Sequence, residues 1–341
     1  MKKTAEFVSP KHPDKICDII ADTILNEYMK ADPKSRVAVE VMGGHGHVSV
    51  SGEVTSTAQV DIERAVRSVA GVPADAAVHV YLVPQSPEIG GGVDGGGAGD
   101  QGIMTGYATR ETPERLPREY VLARELCRKV YEKWPFDGKT QVTLSDAAPR
   151  GGNADGGEAE VETVVASFQN APSAELLAFV REALPGAREY FVNPAGDWSQ
   201  GGFDADSGLS GRKLIVDNYG PEVAIGGGSF SGKDWTKVDR SGAYMARRIA
   251  KDYLEKYADA AKVRVKLAYA IGRAEPVMAV AELELAASGG GNEGGASREV
   301  VIAPGEYDLS PRGIFNALKL SEVDWSATAA WGHFGREFPW G

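Results

Sequence analysis

The fold is decided by residues 13–54, which read PDKICDIIADTILNEYMKADPKSRVAVEVMGGHGHVSVSGEV. In the first half, apolar side chains recur at helical spacing and would share one face of a helix, with Pro13 suited to its first turn. These side chains are Ile16, Ile19, Ile20, Ile24 and Leu25. In the second half, RVAVEV and HVSVSGEV are typical of two strands joined by a turn around Gly43, Gly44 and Gly46. A second helix is predicted over 58–69, so this region reads as a strand pair followed by a helix.

The same order of elements returns twice further along the chain. Strands are predicted over 141–144 and 159–168 before a helix at 174–184, and over 262–271 and 276–286 before a helix at 311–320. The pattern predicts an α+β fold of three similar domains, each with one sheet face covered by helices. We divide the chain at 1–96, 97–205 and 206–341.

Three further segments are glycine-rich or irregular, namely 90–99, 149–157 and 288–295. Such segments are usually surface connections. The first lies between PQSPEI and GAGDQG, two motif-like stretches, and we therefore expect it to act as a mobile lid over an active site.

Composition and charge exclude several classes of function. The 341 residues are 43% apolar and carry a formal net charge of -11, which argues against general nucleic-acid binding. No apolar run approaches a membrane span, and no apolar stretch follows the N-terminal lysines. Cys17 and Cys127 are too few for a disulfide framework. A cytoplasmic, soluble protein with no nucleic-acid or membrane partner is expected.

One glycine-rich run resembles a phosphate-binding loop without matching it. Residues 227–234, GGSFSGKD, satisfy G-x-x-x-x-G-K but end in Asp234, where a P-loop needs Ser or Thr to coordinate magnesium. Glycine backbone can still approach an anion closely, and Lys233 can supply charge. Immediately afterwards, Lys237, Asp239 and Arg240 stand at the start of a helix predicted over 237–257.

Two other basic stretches occur in similar contexts. Arg212 and Lys213 follow the turn DSGLSG and precede LIVD, which we interpret as an apolar strand, while Asp206 upstream could bind an amine, a ribose or a metal. His12 lies two residues before Asp14 in a first helical turn, where the helix dipole favours anions and a carboxylate could hold Mg²⁺.

Taken together, the candidate residues suit a polyphosphate with Mg²⁺. The cationic groups are His12, Lys139, Arg212, Lys213, Lys233 and Lys237, and the carboxylates are Glu6, Asp14, Glu40, Asp100 and Asp239. The sequence contains no convincing nucleophile elbow, Cys-His pair or zinc-ligand spacing.

Seven motifs then identify a family. They are HPDK at 12–15, GAGDQG at 97–102, SGRK at 210–213, GGGSFSGKD at 226–234, KVDRS at 237–241, YAIG at 269–272 and GHFGRE at 332–337. In this order they resemble methionine adenosyltransferase, also called S-adenosylmethionine synthetase. The resemblance covers nearly the whole chain.

The resemblance implies a fold, an assembly and a reaction. The fold would be three similar α+β domains around a pseudo-threefold axis, paired through sheet faces in a homodimer, often a dimer of dimers, with the active site between two subunits. The reaction would join ATP and L-methionine into S-adenosylmethionine by in-line attack of sulfur on C5′. The bound triphosphate would then be hydrolysed to phosphate and diphosphate.

It also implies roles for individual residues. Those taken as catalytic are His12, Lys139, Arg212, Lys213, Lys233 and Lys237. Those that would bind ATP are His12, Asp137, Lys139, Asp197, Trp198, Asp206, Arg212, Lys213, Ser229 and Lys233. Those that would bind methionine are Glu53, Gln85, Asp100, Asp206 and Lys237. Asp14 and Asp239 would bind Mg²⁺, and Glu40 would help to hold K⁺.

The chain departs from the family pattern at several places, two of which concern the lid and the nucleotide site. Segment 86–102 is shorter and richer in glycine than the family's lid, and Asp197 replaces a basic residue beside the aromatic Trp198. Two other classes remain as alternatives: a catalytically silent regulatory subunit of the same fold, and a kinase-like protein with a true P-loop. The first would be expected to lose cationic or metal-binding motif residues, all of which are present.

Overall fold

The computed structural model describes residues 2–86, 95–145, 160–286 and 296–341. Its strands are β1 Lys2–Val8, β2 Arg36–Gly44, β3 His47–Thr55, β4 Ala77–Val83, β5 Gly102–Thr109, β6 Gly138–Ser145, β7 Glu160–Phe168, β8 Glu189–Val192, β9 Gly208–Leu209, β10 Ala260–Tyr269, β11 Met278–Leu285 and β12 Ser297–Val301. Its α-helices are α1 Pro13–Ala31, α2 Ile62–Ser68, α3 Arg118–Lys133, α4 Ser173–Ala183, α5 Leu214–Asp217, α6 Val238–Lys256 and α7 Pro311–Ala317. The predicted α+β class with three similar units is therefore confirmed.

The strands form three four-stranded sheets. Sheet I has the order β4-β3-β2-β9, sheet II β1-β6-β7-β8 and sheet III β12-β11-β10-β5. Helices α1 and α2 pack against sheet I, α3 and α4 against sheet II, and α6 against sheet III. Neighbouring strands are antiparallel except for the parallel pairs β3–β4 and β7–β8.

Each chain segment lends one strand to the sheet of another segment. β1 pairs with β6 in sheet II, β5 pairs with β10 in sheet III, and β9 pairs with β2 in sheet I. The exchange runs in a cycle, as a pseudo-threefold arrangement requires. The division at 1–96, 97–205 and 206–341 stays a prediction, because this exchange ties the three segments together.

The core of sheet I matches the alternation read from the sequence. Val37, Val39, Val41, Val48 and Val50 are buried on one face. Against them lies the apolar face of α1, comprising Ile16, Ile20, Ile24 and Leu25, with Ile19 partly buried at its margin. The opposite face of sheet I is exposed in this chain and carries Met42, Tyr81, Val83 and Leu209.

One predicted element has the wrong type. LIVD at 214–217 forms the short helix α5 rather than a strand, with the N–H of Asp217 bonded to the carbonyl of Lys213. Three apolar residues followed by an aspartate are too few to show a period, so length and context alone cannot decide their conformation. Elsewhere the predicted ends shift slightly. For example, the helix predicted over 58–69 begins at Ile62 because Asp61 caps it by accepting the N–H of Arg64.

Several expectations fall outside or at the edge of the described residues. Segments 149–157 and 288–295 lie outside them, as do residues 90–94 of the proposed lid. Cys17 and Cys127 are both buried and unpaired. No helix in the described ranges is long and apolar enough to cross a membrane.

Candidate active site

The site begins at the first turn of α1. His12 is the N-cap residue, and its Nδ1 accepts the backbone N–H of Asp14 at 3.2 Å, so the neutral ring carries its proton on Nε2. Burial, followed by the charge of Lys213, lowers the pKa of His12 to about 4. His12 is therefore a neutral hydrogen-bond donor at pH 7, placed where a helix N-terminus favours an anion.

Asp14 ties the segment of Arg212 and Lys213 to this helix start. Its Oδ1 accepts the N–H of Leu209 at 2.9 Å, and its Oδ2 lies 2.6 Å from Lys213 Nζ, while Arg212 Nε is 3.7 Å from Oδ1. Burial alone would raise the pKa of Asp14, but the Lys213 and Leu209 hydrogen bonds bring it below the ordinary value. The two basic residues thus join His12 around one ionised carboxylate.

A second cationic group comes from the glycine-rich run and the start of α6. Lys233 Nζ lies 2.7 Å from Asp239 Oδ2, and Asp239 Oδ1 accepts the N–H of Gly228 at 3.1 Å. Lys237 Nζ lies 2.5 Å from the fully buried Asp234. At the start of α6, Asp239 and Lys237 therefore contact the glycine-rich run, whereas Arg240 is buried against Asp22.

The glycine-rich run is not a P-loop. Asp234 faces inwards, where its carboxylate accepts the N–H of Val37 at 2.7 Å and so binds the run to β2. A P-loop would follow a strand and lead directly into a helix at its lysine. Here α6 starts five residues after Lys233, at Val238, so the P-loop alternative is wrong.

Glu40 and Ser210 connect the two cationic groups. The Ser210 hydroxyl donates to Glu40 and accepts the N–H of Val41 at 3.0 Å. Burial raises the pKa of Glu40, although the Ser210 hydrogen bond and the charge of Lys233 oppose the rise. Ser229 packs directly on Gly211, where a Cβ would lie 2.6 Å from the Ser229 Cβ. The cationic segments therefore lie side by side along the edge of sheet I.

A small cavity of about 200 Å³ opens next to this region. Its lining includes Lys11, Phe136, Asp137, Gln169 and Phe203. Asp137 accepts the N–H of Gly202 at 3.0 Å, and Lys139 Nζ lies 3.5 Å from Glu6 Oε2. The half-buried Trp198 packs over Gly201 at the rim, where a Cβ would come within 2.9 Å of the indole.

Three of the predicted nucleotide-binding residues, Lys139, Asp206 and Asp197, differ in their surroundings. The charges of Lys139 and Asp206 both act on the pKa of His12, so these residues belong to the same cluster. Asp197 instead accepts hydrogen bonds from Ser173, at the start of α4, and from Asn193, directly after β8, and the Ser173 hydroxyl is the main cause of its lowered pKa. Its carboxylate is thus already engaged by α4.

The predicted methionine residues do not all converge within one chain. Glu53 and Gln85 lie at the same end of β3 and β4, where the Gln85 N–H donates to Thr55 at 3.0 Å. Asp100 is exposed and accepts the N–H of Gln101 at 2.7 Å. The GAGDQG segment itself pairs with the YAIG segment through the N–H of Gly272, which donates to Ala98 at 2.9 Å.

The residues predicted to bind metal ions do not form one cluster of ligands. Among the described residues, no group of three or more His, Cys, Asp or Glu side chains could hold a metal ion. Asp14 and Asp239 each pair with a lysine, and Glu40 pairs with Ser210. A magnesium ion at Asp14 or Asp239 would therefore need most of its oxygen ligands from a substrate and water.

Sequence reasoning missed the buried charges behind the site. Lys15 Nζ lies 3.0 Å from Asp18 and 2.5 Å from Asp217, and Asp22 forms a two-point ion pair with Arg240 at 2.7 and 3.0 Å. All five side chains are almost completely buried. The available signal was the recurrence of aspartate every fourth residue in an otherwise apolar part of α1.

Nearly the whole chain is similar to known proteins. Three family models match: the N-terminal domain of S-adenosylmethionine synthetase at residues 1–72, the central domain at 95–198 and the C-terminal domain at 200–341. Two similar proteins are the S-adenosylmethionine synthases of Deinococcus radiodurans and Deinococcus deserti. Each is 40% identical to this chain, and the alignments cover 99% of this chain and 94% and 95% of the two relatives, respectively. A solved S-adenosylmethionine synthetase from Campylobacter jejuni superposes with a TM-score of 0.82 at 32% identity, covering 99% of this chain and 96% of that one. The chain therefore belongs to the S-adenosylmethionine synthetase family.

Proposed function

We propose that this enzyme joins ATP and L-methionine into S-adenosyl-L-methionine and hydrolyses the bound triphosphate to phosphate and diphosphate. The observation that supports the proposal is that two cationic segments lie side by side. Arg212 and Lys213 contact Asp14 in the first turn of α1, and the segment of Lys233 adjoins them because Ser229 packs on Gly211. This arrangement suits an extended chain of phosphates.

The leaving group sets the chemical requirement. A methionine thioether is already a nucleophile, so attack on the ribose C5′ needs no general base, whereas the departing triphosphate gathers negative charge. Preorganised cations stabilise that charge best in a site partly shielded from water. Lys213 and Lys233 are shielded in this way, because their side chains are 16% and 18% exposed.

The lysine–aspartate pairs prepare the site for a charged ligand. Lys213 and Lys233 are each neutralised by a carboxylate, Asp14 and Asp239 respectively. Binding of a magnesium–polyphosphate would let each lysine turn to a phosphate oxygen while each carboxylate turns to the metal. His12 would donate its Nε2–H to the same phosphate chain, since its Nδ1 is occupied by the N–H of Asp14.

The residues present fit Mg²⁺ at Asp14 and Asp239 and K⁺ near Glu40. Mg²⁺ is commonly held by one or two carboxylates together with substrate phosphates, and Asp14 and Asp239 offer such isolated carboxylates beside the cations. When bound, Mg²⁺ supplies positive charge that stabilises the leaving triphosphate and its hydrolysis. Glu40 and the Ser210 hydroxyl supply oxygen atoms of the kind that K⁺ prefers.

The remaining substrate parts are assigned from the surroundings of the cationic cluster. The cavity beside Asp137, with Trp198 at its rim, supports placing the adenosine there. Glu53, Gln85 and Asp100 would complete the methionine site across a homodimer, with Asp206 and Lys237 assisting. The exposed apolar residues on sheet I support pairing of two subunits through this face, and a dimer of dimers could follow.

A silent regulatory subunit is the second candidate. It would retain the fold without the cationic cradle, yet His12, Lys139 and Lys233 are all present, and His12 and Lys233 contact the acidic partners described above. No specific observation favours the regulatory subunit.

A direct assay tests the proposal. Purified protein is incubated with ATP, L-methionine, Mg²⁺ and K⁺, and the products are separated by chromatography. We expect S-adenosylmethionine together with both phosphate and diphosphate. Absence of S-adenosylmethionine across a range of K⁺ concentrations and temperatures would refute it, while release of intact triphosphate would refute only the hydrolytic step.

A further inference from the structure

Helix α1 carries a row of aspartates on the side that faces the active site. Asp14, Asp18 and Asp22 follow one another at intervals of four residues, which places them on one face of a helix. Asp14 is 2% exposed, and Asp18 and Asp22 are completely buried. Three carboxylates in such a position need an explanation, because a buried charge is unfavourable unless it is paired and hydrogen-bonded.

Each aspartate accepts a backbone N–H from a segment that carries the cations. Asp14 accepts from Leu209 at 2.9 Å. Asp18 Oδ1 accepts from Gly211 at 2.8 Å, and Asp22 Oδ1 accepts from Gly232 at 2.9 Å. Gly211 immediately precedes Arg212, and Gly232 immediately precedes Lys233. The row therefore holds the backbone directly before two of the proposed phosphate-binding side chains.

Both glycines have a backbone that other residues rarely adopt. Gly211 has φ +74° and Gly232 has φ +80°. A Cβ on Gly232 would lie 2.1 Å from the carbonyl oxygen of Val39. A glycine has no side chain that packing could hold in place. The hydrogen bond from its N–H to α1 therefore fixes the direction in which the chain continues after the glycine.

The second oxygen of each deep aspartate is occupied by a buried cation or hydroxyl. Asp18 Oδ2 accepts from Lys15 at 3.0 Å, and Asp22 Oδ2 accepts from Arg240 at 3.0 Å and from Thr328 at 2.6 Å. Buried ion pairs are often no more stabilising than apolar side chains of the same volume. Folding stability alone therefore gives a weak reason for them, whereas fixing two loops against one helix gives a strong one.

We propose that Asp18 and Asp22 are positioning residues, which hold the segments of Arg212 and Lys233 in register with each other so that both meet one triphosphate. The inference rests on the proposed function. Neither aspartate touches substrate in this scheme, because both are buried behind the cationic segments and act through the glycine N–H groups.

Asp18→Ala tests the proposal, with inorganic triphosphate and Mg²⁺ as the probe and isothermal calorimetry as the measurement. Loss of the acceptor for Gly211 should weaken triphosphate binding by about tenfold or more, since a hydrogen bond to a charged group contributes about that factor. The KM for methionine should change much less than the affinity for triphosphate. Asp18→Asn retains an oxygen for the Gly211 N–H and should restore much of the affinity.

Asp217→Ala is the matched control. Asp217 shares Lys15 with Asp18 and is equally buried, but its carboxylate faces Lys15 and His333 rather than a glycine N–H. It should lower the melting temperature and leave triphosphate affinity as in the wild type. If Asp18→Ala does not fold, Asp18→Glu replaces it, because the longer side chain keeps the charge near Lys15 while displacing the acceptor.

The outcomes separate the two proposals. Equal triphosphate affinity in Asp18→Ala and Asp217→Ala would overturn the positioning role, whether or not the wild type makes S-adenosylmethionine. A selective loss in the Asp18 variant would support the role even if the synthesis assay failed. A wild-type protein that binds no triphosphate would overturn the positioning role as well as the proposed function.

Discussion

Lys233 offers the sharpest test of where the catalytic effect originates. Replacement of Lys233 by Met keeps the length and apolar stem of the side chain and removes only the charge. In the structure this charge lies 2.7 Å from Asp239 and also acts on Glu40. If the ammonium meets the leaving triphosphate, its loss should slow turnover far more than it disturbs folding.

The two magnitudes can be compared from the surroundings of the pair. Removal of one preorganised charge-stabilising group typically lowers kcat by about 10²- to 10³-fold. The Lys233–Asp239 pair is 18% and 13% exposed, between a surface pair and a fully buried one, so we expect a loss of about 1–2 kcal/mol in the free energy of unfolding. For a chain of this size, such a loss lowers the melting temperature by only a few degrees.

Steady-state kinetics with varied ATP and methionine, together with thermal unfolding, measure both effects. Lys256→Met is the control, because Lys256 forms an exposed pair with Glu306 at 2.9 Å near the other end of α6. This control should keep kcat within about twofold of the wild type, since surface ion pairs contribute little. The reasoning fails if Lys233→Met retains kcat within tenfold, or if its activity declines only in proportion to the fraction that is unfolded.

Two further predictions concern the buried groups around α6. His333 is completely buried, and burial holds its pKa well below the usual value, so the unfolded chain binds the extra proton and the folded protein does not. The free energy of unfolding should therefore fall as the pH drops below about 6.5, and this residue contributes up to about 1.4 kcal/mol per pH unit to the fall. Urea titrations at several pH values should show a shallower dependence of stability on pH for His333→Asn than for the wild type. An unchanged slope in the variant would contradict this assignment. Arg240→Met leaves Asp22 as an uncompensated buried charge. Urea denaturation should therefore show a free energy of unfolding that is lower by about 3–5 kcal/mol. A loss below about 1 kcal/mol would show that water or a neighbouring group replaces the guanidinium.

The sequence was most informative where local pattern and chemistry coincide. Alternation in β2 and β3 and the helical period of α1 follow from the burial of one face of each element, and both predictions are confirmed. The motifs around His12, Arg212 and Lys233 identified the family because they are specific in order and spacing. The four residues 214–217 were assigned wrongly, since a run that short fits a strand and a helical turn equally well.

The sequence by itself therefore determined the class of fold and the family, and it predicted the cationic residues of the candidate site. The tertiary structure alone decided which strand completes which sheet, because β1, β5 and β9 find their partners in distant segments and strand pairing over such distances leaves no local pattern. It also decided the contacts of Asp18 and Asp22, which in sequence look like ordinary helix charges. Their partners are backbone N–H groups nearly 200 residues or more away, and only the folded chain brings them within hydrogen-bond distance.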